Sequence, residues 1–157
     1  MPIRIDASEF LYALDSHDPE TEHYLDLQTG EIVTATWGAF LSDEPEYAEL
    51  EAVRDDQERY RLIEPVPSRE GWRWMQDFAE GVSDARVQER LLDAIHGSGA
   101  FGRFKRVLSS YPEVRAAWFR FHEEQLLEYA REWLHNESIE AELTELPTRK
   151  ANLHLVE

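Results

Sequence analysis

Residues 97–102 are GSGAFG, and this stretch decides the fold because its glycines match the G-x-G-x-x-G pattern of dinucleotide-binding proteins. That pattern requires a β-strand before it and a helix after it. In the residues before Gly97, however, the apolar side chains Val87, Leu91 and Ile95 recur at helical spacing. We therefore expect Gly97 and Gly99 to form a turn between two helices. The dinucleotide-binding interpretation is rejected.

The same turn opens a helix and is followed by basic residues. Unpaired N–H groups and the helix dipole favour anions at the start of a helix. Arg103, Lys105 and Arg106 follow Gly97 and Gly99 within two helical turns. The sequence therefore predicts that these five residues form a binding site for a phosphate, a nucleotide or an acidic peptide.

The charge around this turn is opposite to that of the chain. Residues 97–121 contain five Lys and Arg against Glu113 alone, whereas the whole chain carries a net charge of −17. Charged networks are often structural, so the competing interpretation is that these cations pair with the protein's own carboxylates. This competing interpretation is the more common one for such patterns.

Four helices are predicted in the second half of the chain. Ser68 and Asp84 are placed to cap the first two, and Gly97 ends the second. The third covers about residues 100–110, and the fourth covers about residues 112–135, with a proline suited to a first helical turn at its start. All four carry apolar or aromatic residues at helical spacing, which predicts a bundle.

The first half mixes strands with helices. Asp6 is placed to cap a short helix. Residues 23–37 predict a β-hairpin whose short loop needs the positive φ that Gly30 supplies, and Arg59–Ile63 predicts a third strand. The acidic segment Ser42–Glu58 fits a short helix as well as a loop. The predicted fold class is α+β, with a small antiparallel sheet, made of the N-terminal hairpin and a third strand, and a C-terminal bundle of about four helices.

A chain of 157 residues has the size of a single domain. Within it we distinguish an acidic α/β part at residues 1–67, a helical part at 68–138 and a tail at 139–157. Apolar and polar residues alternate in the tail at Ile139–Leu143 and again around residues 153–155. Either segment is expected to add an edge strand, unless the end of the chain is loose.

The composition excludes several classes of protein. There is no cysteine, which rules out thiol catalysis, cysteine-based metal sites and disulfides. No apolar run is long enough for a signal peptide or a membrane span, so we expect a cytoplasmic protein that does not bind a membrane. We also expect no cofactor. Residues 1–67 carry four basic against 17 acidic side chains. Free DNA would be repelled, which leaves an anionic small molecule or a protein as the expected partner. The sequence does not indicate the oligomeric state.

Several short segments together resemble a known bacterial family. In chain order they are YLDL at 24–27, TGE at 29–31, RY at 59–60, SRE at 68–70, DF at 77–78, GSGAF at 97–101, RFK at 103–105, Trp118, and WL at 133–134. This pattern resembles the bacterial uncharacterised protein family numbered 0158, over about Tyr24–Glu140. Its most specific part is Gly97–Lys105. The resemblance implies a bacterial cytoplasmic protein and adds no catalytic residue.

The chain departs from the family pattern at one informative position. After RFK the resemblance leads us to expect an acidic residue, and the chain has Arg106 there. The basic patch is therefore predicted for this chain and not for the family.

A second candidate site is the segment Asp15–His23, which holds two histidines and four carboxylates. Such hard ligands can bind a divalent cation, and they would suit a small metal-dependent enzyme that uses Asp15, His17 and His23. The spacing matches no known metal-binding loop, and a solvated acidic loop is the more common alternative. We therefore assign no metal site.

His122 lies on the apolar face of the last predicted helix. Histidine can act as a general base, because it titrates near neutral pH. The sequence supplies neither a nucleophile nor an orienting partner for it. We therefore expect a core or interface histidine.

The sequence favours a non-catalytic binding or regulatory module that presents the basic turn, or the aromatic face of the last helix, to a partner. A local inversion of charge is present, whereas no catalytic constellation is. Two alternatives stay open. One is the divalent-metal-dependent enzyme that uses Asp15–His23. The other is an acidic inhibitor of a basic protein, in which Asp43–Glu58 imitates a phosphate backbone.

Overall fold

The computed structural model describes residues 2–144. Within this range the fold is α+β, as predicted, and no helix is long and apolar enough to cross a membrane. The elements follow in the order β1 (Ile3–Ile5), α1 (Ala7–Asp15), β2 (Thr21–Asp26), β3 (Ile32–Thr36), a 3₁₀ turn (Trp37–Ala39), α2 (Pro45–Asp55), β4 (Tyr60–Ile63), α3 (Ser68–Glu80), α4 (Ala85–Ala94), α5 (Ala100–Leu108), α6 (Pro112–Asn136) and β5 (Ala141–Leu143).

The chain divides into two compact units. Of the described residues, 2–65 and 126–144 form unit 1 and 66–125 form unit 2. Helix α6 contributes its first half to unit 2 and its second half to unit 1. The expectation of a single domain stays a prediction, as does its division into an acidic part at residues 1–67, a helical part at 68–138 and a tail at 139–157.

Unit 1 contains the predicted sheet, in which β2 lies between β3 and β4 and runs antiparallel to both. At the centre of the sheet, His23 pairs with Thr34 on one side and with Ile63 on the other. The loop between β2 and β3 turns at Gly30, whose φ is +83°. A Cβ atom on Gly30 would lie 2.1 Å from the carbonyl oxygen of Arg4, so the backbone itself fills the space of a side chain. The hairpin and the third strand are confirmed.

A second, two-stranded sheet joins the two ends of unit 1. β1 and β5 run parallel, with Ile3 opposite Ala141 and Ile5 opposite Leu143. A strand thus lies within Ile139–Leu143, but it pairs with β1 and is not an edge strand of the predicted antiparallel sheet. β1 was missed because three residues are too short to show a strand pattern. The alternative tail strand, around residues 153–155, lies outside the described residues.

An ion pair between the buried carboxylate of Asp26 and the half-exposed Arg59 stabilises the hairpin loop. Asp26 is 4% exposed and accepts hydrogen bonds from Nε and Nη2 of Arg59 at 3.2 and 2.9 Å. It also accepts from the N–H groups of Gln28 and Thr29. Burial alone raises the pKa of Asp26, but the hydrogen bonds outweigh burial and leave this pKa below its usual value. The charge of Asp26 is thus neutralised by Arg59, which directly precedes β4.

Two of the three predicted helix caps are confirmed. Asp6 accepts a hydrogen bond from the N–H of Glu9 at the start of α1, and Asp84 caps α4 by accepting from the N–H groups of Arg86 and Val87. The prediction for Ser68 is wrong. Pro67 occupies the N-cap position with its φ fixed at −58°, so that the serine already lies in the first turn of α3.

Unit 2 packs its helices around Trp118 of α6. The indole ring lies edge-on to Phe104 of α5, with 4.9 Å between ring centroids, and edge-on to Phe78 of α3 at 5.4 Å. His122 stacks on the same ring at 5.1 Å, and it meets Trp74 edge-on at 5.9 Å. This places His122 within an aromatic cluster, in keeping with a packed histidine.

Candidate functional site

The turn of Gly97 and Gly99 joins α4 to α5. The two glycines have φ values of +77° and +81°, in the left-handed region that side chains disfavour. Because a helix precedes the turn, the β-strand that a dinucleotide-binding motif needs is not present there. The prediction that GSGAFG forms a turn between two helices is confirmed.

Arg103 binds the turn that precedes its own helix. Its Nε donates to the carbonyl oxygen of Ala94 at 2.9 Å. Its Nη atoms donate to the carbonyl oxygens of His96 and Ser98, and one reaches Gly97 at 3.5 Å. Carbonyl groups at a helix C-terminus lack helical partners, so this guanidinium satisfies acceptors that the end of α4 leaves open. Arg103 is therefore a structural part of the turn.

An open groove of about 540 Å³ lies between α4 and α5. Three arginines line it, namely Arg90, Arg103 and Arg106, and the carboxylate in its lining is that of Asp93. We name it the arginine groove. The lining is completed by Ala94, Val107 and Ser110.

Arg90 is held in place by an aromatic side chain. Its Nη1 donates to the hydroxyl oxygen of Tyr111 at 2.7 Å, and its guanidinium carbon lies 6.0 Å from the centre of that ring. An arginine carries five N–H donors, so this bond uses one of them. Across residues 2–144, none of the ion pairs involves Arg90, Arg103 or Arg106. Carboxylates therefore do not hold these three arginines within that range.

The five predicted binding residues do not meet at one point. Arg103 and Arg106 line the arginine groove, while Gly97 and Gly99 shape the turn beside it. Lys105 is two positions on from Arg103, which places it on the other side of a helix with 3.6 residues per turn. Lys105 and Arg106 also lie in the last turn of α5, where cations complement the carbonyl end of the helix dipole.

Arg90 was missed because sequence reasoning looked only downstream of the glycines. The sequence nevertheless contains a signal for Arg90. This residue directly precedes Leu91 of the apolar stripe of α4, and the tight turn after α4 brings the buried faces of α4 and α5 together. Pairing the two helical faces would have found it.

The Asp15–His23 segment does not gather its side chains around a common point. Asp18 accepts a hydrogen bond from the hydroxyl of Thr21 at 3.0 Å, which closes the loop onto β2. The Nδ1 atom of His23 lies 3.1 Å from the hydroxyl oxygen of Thr34, inside the sheet. Throughout the described range, no three histidines or carboxylates come close enough together to hold a metal ion.

Comparison with known proteins agrees with the order of motifs. The model of an uncharacterised protein family, UPF0158, matches residues 1–154. The chain belongs to this family. It is 33% identical over 148 residues to UPF0158 protein PA5073 of Pseudomonas aeruginosa, an alignment that covers 94% of this chain and 92% of that relative. No solved structure matches the chain. The resemblance that the sequence motifs indicate is confirmed. Neither the description of the family nor the name of the relative states an activity.

Proposed function

We propose that the chain is a non-catalytic binding module and that the arginine groove binds an anionic group of a small molecule or of a protein partner. One observation carries the proposal. Two helices bring Arg90, Arg103 and Arg106 to one groove with the single carboxylate of Asp93, in a chain whose net charge is −17.

The chemistry of the groove favours a phosphate or carboxylate. A guanidinium is planar and permanently charged, and it binds such oxyanions through paired N–H groups. Backbone carbonyls hold Arg103 and occupy most of its N–H donors, so this guanidinium offers a ligand mainly its charge. Arg90 is held by Tyr111 through one donor, so two of the three cations are ordered before a ligand arrives. Such pre-organisation lowers the entropy lost on binding.

Asp93 narrows the choice of ligand. A carboxylate accepts hydrogen bonds and repels a second negative charge. A ligand that carries a hydroxyl beside its anionic group can therefore also donate a hydrogen bond to Asp93, in addition to the contacts that phosphate or pyrophosphate makes with the arginines. The groove is lined mainly by groups that hold an anion, which favours binding over catalysis.

The test is a titration with inorganic phosphate and then pyrophosphate, followed by the amide signals of the protein in NMR spectra. We expect the largest shifts in α4 and α5. Arg106→Ala should weaken binding by roughly tenfold or more, as expected for a charge-assisted hydrogen bond. Lys105→Ala is the matched control, because it removes the same charge from the same helix, and it should change the affinity less than about twofold. Equal effects of the two variants would contradict a defined site.

A second candidate function, an acidic inhibitor of a basic protein, is favoured by the attachment of α2. None of the residues of this helix is buried. It is held at Trp37, which Tyr47 meets edge-on at 5.7 Å and over which the guanidinium of Arg54 lies at 4.7 Å. The exposed Glu46 and Glu49 are then available to a cationic surface. Glu46→Gln with Glu49→Gln should weaken binding to polylysine severalfold at low salt, and an unchanged affinity would contradict this function.

A further inference from the structure

A second groove of unit 2 has the opposite character to the arginine groove. It is open, has a volume of about 440 Å³ and lies between the end of α3 and the start of α6. We name it the α3–α6 groove. Its walls are half-buried apolar side chains, namely Phe78, Val82, Val114, Ala117 and Phe121. Apolar residues in this position remain partly in contact with water, so covering them would stabilise a complex.

The rim of this groove is negative. Asp77 and Glu113 are both exposed, and its lining contains no basic residue. Asp77 also lies in the last turn of α3, which contains no basic residue to balance the carbonyl end of the helix. A cation is stabilised at such a position, because the partial charge of the helix end is negative. By contrast, α5 supplies its own cations at the corresponding turn.

The rings of Phe78 and Phe121 contact each other, with 5.5 Å between their centroids. From this complementarity we propose that the α3–α6 groove binds a segment of a partner protein that packs an apolar side chain onto this pair of rings and places a lysine or arginine at Asp77 or Glu113. An open, shallow apolar groove of this kind suits a helix or strand of a protein better than an enclosed small molecule. The proposal concerns a different surface from the arginine groove and does not depend on the binding of an anion there.

Charge selects this occupant over a second copy of the chain. Two copies would each bring a net charge of −17, and like charges oppose association. A basic partner segment is attracted by the same field. The α3–α6 groove therefore fits a cationic, amphipathic segment.

The test uses synthetic peptides as probes. One is a short amphipathic helix of leucine and lysine, and two matched controls replace each lysine by glutamate or each leucine by serine. We expect only the leucine–lysine peptide to bind, with NMR shifts concentrated at residues 77–83 and 113–121. Shifts concentrated in the acidic helix α2, or equal binding of the serine peptide, would show attraction by net charge alone and would overturn the proposal.

Two variants make the result specific. Ala117→Arg fills the groove and adds a cation, and it should weaken binding at least tenfold. Asp77→Asn with Glu113→Gln keeps the walls intact and should weaken binding about three- to tenfold, whereas Glu89→Gln on α4 should leave it unchanged. If Ala117→Arg does not fold, the carboxylate pair still decides the matter. Unchanged binding in that pair, or a rise in molecular mass with concentration that marks a second copy as the occupant, would overturn the proposal.

Discussion

Two turns of this molecule each combine a glycine in the left-handed conformation with an arginine that the surrounding structure holds in place. The two arginines bind different groups. At the hairpin of unit 1, Arg59 is paired with the buried carboxylate of Asp26, beneath the loop that turns at Gly30. At the helix turn of unit 2, Arg103 binds backbone carbonyls and stands beside two further arginines. The comparison teaches that the carboxylate of Asp26 is neutralised by an arginine of the same unit, whereas no ion pair among residues 2–144 neutralises the arginines at the helix turn.

The largest expected effect is that of Gly30→Ala. The new Cβ would lie 2.1 Å from the carbonyl oxygen of Arg4. Alanine would also have to adopt the φ of +83°, which residues with a side chain disfavour. Because the obstacle is backbone, it cannot move without disturbing β1. We expect the free energy of unfolding, measured by urea denaturation, to fall by about 3–5 kcal/mol.

Gly97→Ala is the matched control for this prediction. Its φ is similar, +77°, but a Cβ there would meet no atom within 4 Å. The loss should therefore be the conformational term alone, about 1–2 kcal/mol. Equal losses for the two variants would mean that the close approach at Gly30 does not determine its role.

The next effect separates two arginines of one helix. Arg103→Ala removes the donor that satisfies the carbonyls after α4, and we expect a loss of about 1–2 kcal/mol in unfolding free energy. Arg106→Ala should change stability by less than about 0.5 kcal/mol, because Arg106 lines the groove at the surface. The measurement is thermal or urea unfolding of both variants. A large loss in Arg106→Ala would assign that side chain to the fold and not to a ligand.

A smaller effect concerns His23, a buried histidine of the hairpin. It is 4% exposed, and its Nε2 has no hydrogen-bond partner among the described residues. Burial lowers the pKa of His23 from 6.5. Below pH 6.5 the imidazole of His23 therefore binds a proton more readily in the unfolded chain than in the folded chain. Stability should therefore fall as the pH drops below 6.5, by at most about 1.4 kcal/mol per pH unit from this group.

His23→Gln should remove this part of the pH dependence, while His17→Gln, at an exposed position, should keep it. Urea denaturation at a series of pH values between neutrality and pH 5 measures the slope. An unchanged slope in His23→Gln would show that other groups produce it.

The fold was largely predictable because its main signals are local. The spacing of Val87, Leu91 and Ile95 showed a helix before the glycines, and Gly30 marked the hairpin. The cap of α3 failed for a local reason, because Pro67 takes the N-cap position predicted for Ser68. The missed strand β1 depends on a distant partner. The parallel pair β1–β5 joins residues far apart in sequence, and each strand is stable only when the other is present. Its pattern is invisible in either segment alone.

The site was predictable only in part for the same reason. The charge inversion after Gly97 pointed to Arg103 and Arg106, and both line the groove. Composition does not show which arginine stabilises the turn and which one lines the groove. This difference depends on the carbonyl groups that the turn brings close to each side chain. Arg90 became visible only when α4 and α5 were placed side by side. The five predicted binding residues therefore stay a prediction, now with distinct physical roles.

The most direct test of the central claim, that the arginine groove rather than overall charge binds an anion, is calorimetric titration with pyrophosphate of two double variants. Arg90→Ala with Arg106→Ala removes two charges from the groove, and Lys105→Ala with Arg115→Ala removes two charges that do not line it. The account predicts a loss of affinity of at least tenfold in the first and less than about twofold in the second. Equal losses in the two variants, or an affinity that is unchanged in the first, would contradict it.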